Sequence, residues 1–193
     1  MEYLCGRSTS SARAALRLIR LGFYDEALGL CRSLGEVANL LHLFSIDRTT
    51  FGTWKALSRS ERLREFSPLK IRTLLEERGS GPHIDQERYR LLSKRAAHVN
   101  PSTRPQAHNI LGIPSAGSVV QEEGLLVSIN ELALPMALVA LFGTQLLELE
   151  RDVQMEIFSA ARSLVEFIGR ATICDIAAYH DSIIQKPKVK GGA

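Results

Sequence analysis

Asp25-Glu-Ala-Leu-Gly-Leu-Cys-Arg-Ser-Leu-Gly-Glu-Val-Ala-Asn-Leu-Leu-His-Leu-Phe44 places apolar residues on almost every side of a helical wheel. Leu28, Leu34, Ala38, Leu41 and Phe44 alternate with Leu30, Cys31, Val37, Leu40 and Leu43, so no wide polar face remains. A helix that is apolar nearly all round sits at the centre of its bundle. Asp25-Glu26 puts acid in the first turn, where the macrodipole favours it. Its polar exceptions are Arg32, Glu36 and Asn39, spaced i, i+4 and i+7 along one stripe. One reading of that stripe is a solvent-facing ion pair, worth a few tenths of a kcal/mol. The other is a buried network reaching toward the loop after the fifth helix, because an unpaired buried ion costs several kcal/mol.

Working outward, every segment with a clear period reads as helix. Ser8-Thr-Ser-Ser-Ala-Arg offers N-cap residues for a first helix running to about Gly22. Thr50 to Phe66 reads as one amphipathic helix with Phe51, Trp54, Leu57 and Leu63 inward. Ser67-Pro68 opens a fourth, serine at the cap and proline at the first helical position, ending at the Gly79-Ser-Gly-Pro82 turn. Asp85 caps a fifth, through about His98, which Asn100-Pro101 stops. A long Pro/Gly-containing loop is expected over 99–124, with a short strand pair around Ser118–Leu126. Two long helices follow, about Ser128–Glu150 and Asp152–Gln185, kinked or broken near Pro135. The fold class is all-α: an elongated bundle of six to eight helices, with residues 1–185 as one domain and 186–193 as a basic flexible tail.

Composition excludes several classes of function. Three widely spaced cysteines, Cys5, Cys31 and Cys174, form neither a disulfide framework nor a zinc knuckle, which fits a reducing cytoplasm. The N-terminus shows no secretory pattern. Leu132–Leu147 is apolar but shorter than the roughly 20 residues a bilayer demands, so a buried core helix is expected and no membrane partner. Net charge is +3, yet residues 48–104 carry 13 Lys/Arg against 6 Asp/Glu, and residues 105–185 carry 3 against 10. Either the two halves pair, within the chain or across a dimer, or the basic middle is a footprint for polyanions. Arg59, Arg62, Arg64 and Lys70 are the nucleic-acid-binding candidates within it.

The densest polar stretch is Tyr89-Arg-Leu-Leu-Ser-Lys-Arg-Ala-Ala-His98-Val-Asn100-Pro-Ser-Thr-Arg104-Pro-Gln-Ala-His108-Asn109. Its plain reading is a helix end with side chains bonding the loop backbone. Its functional reading is metal-independent phosphoester chemistry: a histidine near neutral pKa deprotonates a ribose 2′-hydroxyl while an arginine holds the phosphate. His98, Arg95, Arg104 and His108 are the catalytic candidates, with Arg32, Glu36, Tyr89, Ser93 and Asn100 as a supporting polar network. No metal is expected, since His98 and His108 are ten apart and no carboxylate pattern accompanies them. No cofactor is expected either, because phosphate loops and dinucleotide fingerprints are missing.

Two motifs carry a resemblance. Arg32-Ser-Leu-Gly-Glu36 and Tyr89-Arg-Leu-Leu-Ser93-Lys-Arg-Ala-Ala-His98 are similar to the Arg-x3-Glu and Tyr-x3-Ser-x4-His helices of a poorly characterised bacterial family of helical domains. The pattern also resembles HEPN domains, helical bundles of prokaryotic toxins, antiphage systems and CRISPR effectors. Ribonucleases of that family carry arginine, four to six residues, then histidine, and act as dimers. Here Arg95 precedes His98 by three positions and Arg104 precedes His108 by four. The resemblance implies an RNA-directed protein of a bacterial defence or toxin system, with a metal-independent ribonuclease as its catalytic form. The alternative is a non-catalytic helical assembly module. Either way a homodimer or larger complex is expected, with RNA as the further partner of the first reading.

Overall fold

The computed structural model describes residues 1–96 and 117–168. They form an all-α bundle of eight helices, with no strand among the described residues. In chain order these are α1 Glu2–Arg20, α2 Tyr24–Ile46, α3 Arg48–Ala56, α4 Arg59–Glu65, α5 Pro68–Glu77, α6 Gln86–Ala96, α7 Glu122–Leu146 and α8 Arg151–Ile168.

α2 is the central helix, as its all-round apolarity predicts; it packs against α1, α3, α5, α6 and α7. Tyr24, Leu28, Leu34, Leu41 and Phe44 are shielded from solvent. α7 lies parallel beside it, since Tyr24 meets Gly124 near both starts and His42 stacks on Phe142 near both ends. At the first crossing the Tyr24 hydroxyl donates to the Gln121 carbonyl (3.0 Å) and accepts from its N–H (2.9 Å). A Cβ on Gly124 would stand 2.4 Å from the Tyr24 ring, so only glycine lets the helices approach this closely. α1 runs antiparallel to α7, with Cys5 facing Gly143 and Gly22 facing Val119. By length and composition Gly124–Leu146 could cross a membrane, with mean hydropathy 2.0. In the fold it packs against α1, α2 and α8.

Several boundaries differ from those expected. α1 begins at Glu2, because Ser8, Thr9 and Ser10 do not cap a helix; each hydroxyl donates to the carbonyl four residues back. The expected Thr50–Phe66 helix is two helices, α3 and α4. Ser58 and Glu61 form a capping box that restarts the chain, and Leu63 is exposed rather than inward. The strand pair around Ser118–Leu126 does not form, and the loop expected to reach residue 124 ends at Gln121. Leu125, Ile129, Leu132 and Met136 recur at helical spacing and pack on the α1/α2 cluster, which extends α7 back to Glu122. α7 ends at Leu146, α8 begins at Arg151, and α7 continues through Pro135 as one element.

Candidate functional site

Arg32, Gly35, Glu36, Asn39 and His42 lie at i, i+3, i+4, i+7 and i+10 of α2, and therefore on one face. The α5–α6 connection and α6 dock there, running antiparallel to α2. At the far end His42 stacks on Phe142 (centroids 4.4 Å), lies 4.7 Å from the His83 ring, and shares a 3.1 Å hydrogen bond with Ser80 Oγ. One turn back, Asn39 Nδ2 donates to the Ile84 carbonyl (2.8 Å) and Asn39 Oδ1 accepts from its N–H (3.3 Å). Gly35 leaves room for Ile84, whose Cγ1 would stand 2.7 Å from an added Cβ. The loop is thus fastened by polar groups and not only by apolar burial.

At the near end stands Tyr89. Arg32 Nη2 donates to its hydroxyl (2.5 Å) and pairs with Glu36 Oε1 (3.0 Å). The guanidinium carbons of Arg32 and of Arg72, from α5, both stand 4.7 Å from the Tyr89 ring centroid. Arg72 also donates to Gln86 Oε1. Arg72 is 5% exposed, and its partners among the described residues, the Gln86 amide and the Tyr89 ring, are neutral. Two guanidiniums therefore converge on one ring, and among the described residues Glu36 is the one carboxylate paired with either of them. The ring's negative face offsets part of that repulsion, by up to about 2 kcal/mol for a desolvated cation. The excess is positive charge held in a low-dielectric setting, where its field reaches further than at a free surface.

A cleft of about 640 Å³ runs along α6, lined by Gln86, Glu87, Tyr89, Arg90, Leu91, Ser93 and Lys94. On the other side of α6, Arg88 pairs with Glu131 of α7 at 2.6 Å. Burial, and then the field of Glu131, push the Cys31 thiol up to about 12, so it stays protonated and inert. Burial, and then His83, push His42 down to about 4, so it is neutral near pH 7. A base that weak does not activate Ser80, and the histidine pair reads as a fastening of the loop.

Of the residues singled out in the sequence, Arg32, Glu36 and Tyr89 come together. On α2, Arg32–Glu36 is an i, i+4 ion pair that also reaches across to Tyr89 of α6, and the loop toward which a buried network was expected to reach lies outside the described residues. Ser93 lies one turn after Tyr89 and is buried. Arg95 falls on α6, with its side chain outside the description; His98, Asn100, Arg104 and His108 lie outside the described residues. Arg59, Arg62 and Arg64 are on α4 and Lys70 on α5. Arg59, Arg64 and Lys70 are exposed, while Arg62 lies 5.5 Å over the Trp54 ring. Sequence reading missed Arg72, Gln86 and His42. A signal for Arg72 existed, a cation between Ile71 and Leu75 on the apolar stripe of a short helix.

Among the described residues no group of three or more His, Cys, Asp or Glu could hold a metal. Comparisons with protein-family models, with curated proteins and with solved structures find no match to this chain.

Proposed function

We propose that this chain is an RNA-directed helical module of HEPN-like character, cytoplasmic and working as a dimer or within a larger complex. It meets the sugar–phosphate backbone along its α4–α6 side. One observation carries the reading: several cations on this side are left without carboxylates, although Arg64 pairs with Glu65 (2.8 Å). Arg59, Arg62 and Lys70 make no ion pair among the described residues, and Arg72 is buried against neutral partners. The exposed Arg59 and Lys70 are available to phosphates, and released counterions then drive binding, while the buried Arg72 contributes only its field. In the catalytic form of this reading, His98 is the base, Arg95 or Arg104 holds the phosphate, and His108 assists.

Fluorescence anisotropy with a labelled single-stranded RNA tests the binding. Micromolar or tighter association, weakened by alanine at Arg59, Arg62, Arg64 and Lys70, is expected; an RNA that stays free contradicts the reading. Incubation with total RNA in EDTA, wild type against a folded His98→Ala variant, tests the chemistry. Cleavage lost in the variant supports catalysis.

The second reading, a non-catalytic assembly module, is favoured by a groove of about 360 Å³ between α1 and α7, flanked by Leu164 of α8. Its walls include Ala12, Leu16, Leu132 and Met136. A stable oligomer indifferent to RNA in sedimentation experiments is its signature.

A further inference from the structure

Seven helical hydroxyls of this chain bond four residues back along their own helix, while those of Ser45, Thr49 and Thr50 bond elsewhere. Ser8, Thr9, Ser10, Ser33, Thr53, Thr73 and Thr144 each donate to the carbonyl four residues back. Two buried helical serines, Ser93 of α6 and Ser128 of α7, have no such bond, and of the two Ser93 lines a cleft. Ser93 is 6% exposed, and its Oγ has no hydrogen-bond partner among the described residues. A buried hydroxyl left unmatched destabilises the fold unless something else takes its bond.

What surrounds it identifies that something. Ser93 lines the α6 cleft together with Gln86, Tyr89, Arg90 and Lys94, spaced i, i+3, i+4, i+7 and i+8 from Gln86, which is one stripe of the helix. Arg90 and Lys94 bring two cations to the cleft, and Glu87 brings one carboxylate. Behind Tyr89 stand the Arg32 and Arg72 guanidiniums, and Arg32 Nε is itself buried without a partner. Among the described residues of the cleft, donors outnumber acceptors and positive charge outnumbers negative. The volume, about 640 Å³, lies in the range of small-molecule sites and exceeds what a bare inorganic ion fills.

We propose that the α6 cleft binds a phosphate-bearing nucleotide, with the Ser93 hydroxyl donating to a phosphate oxygen and Arg90 and Lys94 neutralising its charge. The nucleotide is either free or one residue of an RNA strand; the phosphate chemistry is shared. The RNA source rests on the function proposed above, whereas phosphate recognition by the cleft does not.

Calorimetric titration of the full chain with 5′-AMP, adenosine and inorganic phosphate, followed by a short single-stranded RNA, tests this. AMP is expected to bind at least about tenfold more tightly than adenosine, since the charged group carries the recognition. Ser93→Ala should weaken AMP about tenfold, the loss of one charge-assisted hydrogen bond. Lys94→Gln, an exposed change that the fold tolerates, should weaken it by a similar factor and serves if Ser93→Ala proves unstable. Equal binding of AMP and adenosine, no heat from AMP at millimolar concentration, or AMP binding unaltered in a folded Ser93→Ala or Lys94→Gln chain overturns the inference. The two claims separate cleanly. RNA that binds tightly while AMP does not, with Ser93→Ala indifferent to RNA, overturns the cleft and keeps the RNA-directed reading. AMP binding with the expected losses but no RNA association supports the cleft and removes that reading.

Discussion

Arg72 on α5 holds its guanidinium carbon 4.7 Å from the centre of the Tyr89 ring on α6, and does so while almost wholly buried. That pairing joins α5 to the root of the helix that forms the cleft. It also concentrates charge there, because Arg32 stands at the same distance from the same ring.

Removing the ring should therefore hurt more than removing the charge. Tyr89→Leu leaves two guanidiniums without their shared partner and should cost roughly 3 kcal/mol, whereas Arg72→Met exchanges a buried ion for an apolar chain and should cost under about 1 kcal/mol. Tyr89→Phe keeps the ring and loses only the Arg32 hydrogen bond, about 1 kcal/mol. Urea denaturation of the three variants checks this order.

Asn39 and Ile84 exchange two buried hydrogen bonds across 45 positions of chain. Asn39→Leu strands both backbone groups of Ile84 and should destabilise by roughly 2–4 kcal/mol. Limited proteolysis should then cut within residues 79–85 before any other described segment.

Gly124→Ala should be more damaging than a methyl group suggests. Its Cβ meets a buried ring anchored at both faces of its hydroxyl, so α2 and α7 must separate. A loss of roughly 3 kcal/mol is expected, read as a lower midpoint in thermal denaturation.

His42 sets a pH dependence. Its folded pKa, about 4, lies below its ordinary 6.5, so in that window the unfolded chain binds the proton and the native chain does not. The stability it confers is complete above pH 6.5 and is lost as pH falls through 4, by roughly 3 kcal/mol in total. Denaturation midpoints at pH 7.5, 6 and 4.5 should fall in that order, and His42→Gln should flatten the fall.

Much of the bundle could be read directly from residue pattern. The all-round apolarity of α2 set it at the centre, and Ser67-Pro68 and Asp85 marked helix starts where the structure has them. Failures came where one local signal serves two structures. Serine and threonine can cap a helix or bond backward within it, so the start of α1 was misplaced. Ser58-x-x-Glu61 carries a capping signature, but it sits inside an unbroken amphipathic pattern that hid the α3–α4 junction. A strand pair was expected around Ser118–Leu126, while the longer helical spacing of Leu125, Ile129 and Leu132 prevails. The site was half legible: Arg32, Glu36 and Tyr89 emerged from spacing. Arg72 and His42 did not, since whether a polar side chain on a helix is buried is decided by the helix that packs over it.

The most direct test of the RNA-directed reading is the salt dependence of binding to a single-stranded RNA, wild type against the quadruple alanine variant at Arg59, Arg62, Arg64 and Lys70. Each phosphate contact contributes about 0.7 to the slope of log K against log salt. The variant's slope should be shallower by about 3, with weaker binding throughout. An identical slope and affinity in the two chains, or no binding by the wild type, would contradict the account.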